Sequence, residues 1–282
     1  MSPRVPGFLI GFDSDGCVFD NMTVKHRRCF GTAFIDVYGL SAHAELAARL
    51  WDFVNLFSTT RGCNRFLGVV KTMRWLARAG IRDLPSVDAL DAWSASAPVL
   101  GASALEAYAR EHPLPEFNQA LAWSAEVNRR VKALAATTAI PPVEGVAESF
   151  RAASGRATLI VVSQAPSATI SEEWTRYGLA PFMDRVCGQE FGSKAEQLLS
   201  AGAKDYPADH VLLVGDAPGD YKAAQKTGAL FFPIVPGREV ESWRRFHDEA
   251  LPRFLENAYR GNFADGLLAA FEAALPSEPD FL

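Results

Sequence analysis

Residues 8–20 read FLIGFDSDGCVFD, an apolar run from Phe8 to Phe12 that delivers Asp13, Asp15 and Asp20 within a few positions. The run is too short to cross a membrane and fits a strand buried on both faces of a parallel sheet. Carboxylates crowded at a strand end raise one another's pKa or splay into water unless a cation neutralises them. Taken alone, such a cluster is equally a strand followed by a polar turn, so the rest of the chain decides between the two.

From about residue 22 to 139 the pattern is helical. Leu46, Leu50, Phe53 and Phe57 recur at spacings of three and four, as do Phe66, Val69, Met73 and Leu76, and Phe117, Leu121, Val127, Val131 and Leu134 continue less cleanly. Gly and Pro in YGL, RAGIRDLP and REHPLPE punctuate these helices, and AATTAIPPVEG closes the block. After Pro142 the texture alternates. A helix near 144–154 leads to strand ATLIVVS, then come a helix near 167–178, a weaker strand RVCG and a helix near 193–201. HVLLVGD follows, then a helix near 218–227, strand ALFFPIV, and amphipathic helices over 238–276 with a frayed end. Strands alternating with helices imply a parallel sheet with right-handed crossovers, to which the opening strand belongs. The expected architecture is therefore an α/β core of residues 1–21 and 140–282, with an all-helical domain, 22–139, inserted after the first strand.

A chain of 282 residues with 49% hydrophobic residues can bury one large core or two smaller ones. Its net charge of −5 and the lack of a long basic run argue against nucleic acid or an anionic membrane surface as partner, and favour a small molecule. Cys17, Cys29, Cys63 and Cys187 show no CxxC spacing and are expected as reduced thiols. Asp13 interrupts the first apolar run before a signal-peptide core could form, and no later stretch is long enough to span a bilayer; the expected location is cytoplasmic.

In open α/β sheets, ligands bind outside the carboxyl ends of the strands. Each strand end here carries a reactive group: Asp13 and Asp15 after FLIGF, Ser163 after TLIVV, Lys194 after RVCG, and Asp216 with Asp220 after VLLVG. Singly, each has an ordinary explanation as a cap, a turn or a solvated side chain. Together, and in that order, DSDG, VVSQ, GSKAEQ and GDAPGD resemble the four motifs of the haloacid dehalogenase superfamily. The helical insertion likewise resembles that superfamily's C1-type cap over a Rossmann-like core, so the resemblance spans the chain. Two positions depart from the usual pattern: Cys17 stands where Thr is common, and Gln164 where Asn is commoner.

The resemblance implies a phosphatase branch, because the acid two residues after Asp13 is absent from the dehalogenases and from the phosphonatases. It implies Asp13 as a nucleophile forming an aspartyl-phosphate, and Asp15 as the acid that protonates the leaving alcohol and then activates water. Ser163, Gln164 and Lys194 would hold phosphoryl oxygens. Asp13, Asp216 and the backbone carbonyl of Asp15 would bind Mg²⁺ through hard oxygens, with Asp220 bonding a metal-bound water or orienting Lys194. The implied partner is a small phosphorylated metabolite and the assembly a monomer or homodimer. A phosphomutase of the same superfamily and a non-catalytic phosphate-binding or regulatory protein are the alternatives.

In NLFSTTRGCNRFLGVVKTMRW, Arg61, Asn64 and Arg65 stand at an expected loop-to-helix boundary, with the two arginines one turn apart if the helix starts early. Guanidinium forks suit carboxylate or phosphate, which makes these three candidate contacts to an anionic substrate; a solvated helix start accounts for them as well. For the basic run Lys25 to Arg28, a solvated helical face is the expectation.

Overall fold

The computed structural model describes residues 7–282. The chain forms two compact units: the described residues through Asn21 with Ile140–Ala274, and Met22–Ala139 with Leu275–Leu282. The first is a five-stranded parallel sheet in the order β3-β2-β1-β4-β5. Its strands are β1 (Leu9–Phe12), β2 (Thr158–Val162), β3 (Arg185–Cys187), β4 (Val211–Gly215) and β5 (Leu230–Pro233). β1 lies in the middle, with Phe12 level with Val161 on one side and Val214 on the other. The strand order reverses at β1, which is where an α/β sheet opens a crevice at its carboxyl edge.

Alternation along β1 sorts its side chains onto two faces. Ile10 and Phe12 join a core with Phe150, Val161, Trp174, Val214 and Trp243. Leu9 joins a smaller core on the other face with Ile160, Val162, Leu198 and Leu213. Gly11 faces that second core, and a Cβ there would sit 3.0 Å from Leu198 Cδ2. Its bare backbone lets the helix carrying Leu198 pack close to β1.

The second unit is helical among its described residues. A helix starts as α1 (Asn21–Lys25), passes a π-helical turn at His26–Phe30 and continues as α2 (Gly31–Val37). α3 (Ala44–Leu56), α4 (Arg65–Arg78), α5 (Asp88–Ser96), α6 (Ala102–Glu111) and α7 (Pro115–Thr137) complete it. Phe66, Val69, Met73 and Leu76 of α4 are all buried in one cluster with Leu50, Trp51 and Trp123, as the spacing of three and four requires. No helix among the described residues is long and apolar enough to cross a membrane. All four cysteines are free thiols.

One boundary needs correction. Leu275–Leu282, expected as a frayed end of the α/β core, belongs to the helical unit. Thr59 N donates to the Pro276 carbonyl at 3.2 Å, Arg49 lies 4.1 Å over the Phe281 ring, and Phe53 meets Phe281 edge-on. The Arg78–Glu278 pair is exposed and adds little. A tail with two prolines carries no helical periodicity, so nothing local in the sequence reveals its docking. Phe281→Ala is expected to destabilise the helical unit by about 1–2 kcal/mol, through lost apolar contact and cation–π attraction. Hydrogen exchange should show faster opening of α3 and α4; unchanged protection there would refute the docking.

Candidate active site

β1 ends in Asp13, whose backbone N–H extends the ladder by donating to the Val214 carbonyl at 2.9 Å. The chain then turns tightly: Gly16 takes φ +83°, and Val18 N and Phe19 N both donate to the Ser14 carbonyl. A left-handed residue at this point admits Gly with no steric cost. Asp13 is 5% exposed. Its Oδ1 accepts from Ser14 N at 2.8 Å, and its Oδ2 lies 2.6 Å from Lys194 Nζ.

Lys194 opens the helix α10 (Lys194–Ser200), which begins at a capping box between Ser193 and Glu196. Lys194 and Leu198 are one turn apart on the same face. The close approach of Leu198 to Gly11 therefore brings Lys194 against Asp13, two residues further along the same face of β1. Lys194 Nζ also bonds Asp220.

Asp216 follows β4, and Asp220 lies in the first turn of α11 (Pro218–Thr227); both are 0% exposed. Asp220 Oδ2 accepts from Asp216 N at 3.2 Å and Ala217 N at 3.0 Å, which ties the turn to the helix start. A Cβ on Gly215 would lie 2.4 Å from Asp220 Cγ, so only glycine lets this carboxylate fold back over the strand end.

One carboxylate oxygen from each of Asp13, Asp216 and Asp220 lies within 4.8 Å of the other two. Three buried carboxylates against one ammonium leave the cluster with excess negative charge, which is costly away from water. Burial first, then Asp220 and Asp216, push the Asp13 carboxyl well above its usual range despite the opposing Lys194. Burial works to lower Lys194, but Asp13, Asp220 and Asp216 outweigh it and raise the ammonium's pKa. Buried hard oxygens with charge to spare fit a divalent cation such as Mg²⁺. Asp220, expected to bond a metal-bound water or orient Lys194, bonds the Lys194 ammonium and also stands in the acidic cluster, its side chain folded back over the start of its helix.

Asp15 is half-buried, and its Oδ1 accepts a hydrogen bond from Asn21 Nδ2. Asn21, fully buried at the start of α1, carried no signal in the sequence, because an Asn before a helix reads as a cap. Ser163 is buried just past β2; its N–H donates to the Cys187 carbonyl at 3.0 Å, and its Oγ accepts from Ala165 N at 3.2 Å. Gln164 is exposed, with Nε2 donating to the Gly192 carbonyl at 3.1 Å. Another unforeseen residue, Gln197, is fully buried and directs Nε2 at the carbonyls of Ser163, Gly188 and Gly192, at 2.8 to 3.0 Å. It pins the loops after β2 and β3 to α10.

The three candidates from the helical unit have structural employment. Asn64 caps α4, with Oδ1 accepting from Phe66 N at 3.0 Å and Nδ2 donating to the Leu100 carbonyl at 2.7 Å. Helix α4 starts at Arg65, so Arg61 lies in the preceding turn and the two arginines do not share a helical face. Arg61 is buried, with Nη1 donating to the Leu56 carbonyl at 2.8 Å. Arg65 joins α4 to α7 through Ser124 Oγ at 3.1 Å and Asn128 Oδ1 at 2.9 Å, over the Phe30 ring. In the basic run, Arg27 pairs with Asp52 at 2.6 Å.

No family model matches the sequence, and no curated protein matches it. Solved structures do. A provisionally assigned phosphoglycolate phosphatase from Lactobacillus delbrueckii subsp. bulgaricus superposes with a TM-score of 0.51 at 15% identity, over 90% of this chain and 99% of that one. A haloacid dehalogenase-like family hydrolase from Xanthomonas campestris gives 0.48 at 14% identity, over 90% and 93%. The chain shares its fold with the first of these structures.

Gly215→Ala is expected to displace Asp220 and cost about 1–3 kcal/mol, the range for forced overpacking. Gly219→Ala, where a Cβ meets nothing within 4 Å, should leave stability level or slightly higher, because alanine suits a helix better. Urea unfolding of both variants measures this; equal stabilities would contradict the crowding at Gly215.

Proposed function

We propose that the protein is a Mg²⁺-dependent phosphomonoester hydrolase acting on a small phosphorylated metabolite through an aspartyl-phosphate. The observation that carries this reading is the buried cluster of Asp13, Asp216, Asp220 and Lys194 at the carboxyl edge of the sheet. A binding module has little use for a desolvated carboxylate paired with a lysine beside further acids, whereas phosphoryl transfer needs a nucleophile and a fixed positive charge together. Bound Mg²⁺, held by Asp13 and Asp216 with the Asp15 carbonyl and Asp220 nearby, would supply charge neutralisation to the acidic cluster and to a phosphate oxygen.

In this reading, Asp13 attacks phosphorus through one carboxylate oxygen, and the ester P–O bond breaks. Asp15 gives its proton to the departing alcohol oxygen. Asp15, now ionised, takes a proton from a water that attacks the acyl phosphate, releasing inorganic phosphate and restoring Asp13. Lys194 and the Ser163 hydroxyl hold the other phosphoryl oxygens as charge shifts onto them. Asp220 keeps the Lys194 ammonium in place, and Gln197 fixes the loop that carries Ser163. Arg61, Asn64 and Arg65 remain the reading's candidate contacts to an anionic substrate, held in place by their bonds within the helical unit.

A panel of phosphorylated metabolites, scored separately for released phosphate and for isomerised product, tests the assignment. Phosphate release that requires Mg²⁺, vanishes on chelation and falls at least ~10²-fold in Asp13→Asn is the expected result. Full turnover in excess chelator would overturn the metal-dependent mechanism, and isomerised product without phosphate would make the protein a mutase.

A further inference from the structure

The turn carrying Asp15 is held from below by two tryptophans. Trp174, in α9 (Ser167–Arg176), donates Nε1–H to Ser14 Oγ at 2.9 Å. Trp243, in α12 (Glu239–Arg245), donates Nε1–H to the Cys17 carbonyl at 2.9 Å. Ser14 and Cys17 bracket Asp15 and Gly16, so one indole donor meets the turn on either side of its acid. Both indoles are 0% exposed.

The two rings belong to one aromatic cluster. Phe150 stacks on Trp174 at 5.6 Å between centroids and meets Trp243 edge-on at 5.9 Å. Phe12, the residue before Asp13, packs against Phe150 at 4.7 Å, and Phe19 meets Trp174 at 6.1 Å. The segment is thus fastened at both ends by rings and in its middle by two N–H groups. A buried indole N–H that loses its acceptor has no water to turn to, so any shift of the turn orphans a donor. Apolar side chains would fill the same space without fixing where the turn sits.

We propose that Trp174 and Trp243 are positioning residues for Asp15, their indole N–H groups keeping its carboxyl in line with the bond that breaks. This rests on the reading of Asp15 as the acid of a phosphate-ester hydrolase. An acid displaced by a fraction of an ångström from the leaving oxygen loses much of its contribution. In the step that breaks the ester bond, the loss falls on esters whose alcohol must be protonated to depart, and spares those that leave as a stabilised phenolate.

The test compares an alkyl phosphate from the panel with p-nitrophenyl phosphate in Trp174→Phe, which keeps a ring but removes the donor. Ser14→Ala, which removes the acceptor with little change in packing, serves as the second variant. kcat/KM ends at departure of the alcohol and so omits the water attack that both esters share; for the alkyl ester it is expected to fall about tenfold in each, a fraction of the full acid contribution. kcat/KM for p-nitrophenyl phosphate should stay within about threefold, because its phenolate departs without a proton. Asp15→Asn should show the same selectivity more strongly. In ¹H–¹⁵N spectra the Trp174 indole proton should shift upfield in Ser14→Ala, as loss of its hydrogen bond to Ser14 Oγ requires. Equal losses on both esters, or no loss on either, would overturn the proposal. Asp15→Asn without selectivity would instead remove Asp15 as the acid, and the proposal with it.

Discussion

Lys194 Nζ and Asp13 Oδ2 meet at 2.6 Å in a place where neither charge is solvated, and much of the α/β unit's local design serves that meeting. Gly11 withholds a side chain so that Leu198 can approach β1 and carry Lys194 to the strand end. Gly215 does the same for Asp220, which binds the other side of the ammonium. The capping box at Ser193 fixes where α10 begins, and Gln197 holds the preceding loops to it. Each device is local and modest in energy. Together they keep three carboxylates closer than they would stay in water, a donor set that fits a divalent cation and sets this edge of the sheet apart from a polar turn.

Much of this was legible in the sequence because it rests on short-range patterns. β1, β2, β4 and β5 are apolar runs bounded by turn residues, and their ends announce Asp13, Ser163 and Asp216. The three spacings between Phe66, Val69, Met73 and Leu76 place all four on the buried face of α4. What stayed hidden depends on contacts across the chain. Trp174 and Trp243 look like ordinary core residues until the loop 160 and 226 positions away is seen to supply their acceptors. Asn21 and Gln197 are polar residues in helical stretches, and only their burial reveals that they work on Asp15 and on the Ser163 loop.

The helical unit teaches a complementary lesson. Arg61, Asn64 and Arg65 have the chemistry to contact an anion, yet their side chains satisfy a carbonyl, a helix start and a pair of polar groups on α7. Residue type and spacing propose a ligand contact; the bonds that hold such a side chain within its own unit are legible only in the folded chain. The same holds at the C-terminus, where Phe281 finds Arg49 and Phe53 through a tail that has no periodicity to read.

The central claim is that Asp13 carries phosphate covalently. Beryllofluoride mimics an acyl phosphate on a carboxylate, so a crystal grown with Mg²⁺ and beryllofluoride tests the claim directly. The expected result is beryllium bonded to a carboxylate oxygen of Asp13, with Lys194 and Ser163 on the fluorines and Mg²⁺ among Asp13, the Asp15 carbonyl and Asp216. An adduct on any other side chain, or Mg²⁺ bound with Asp13 left bare under saturating beryllofluoride, would contradict it.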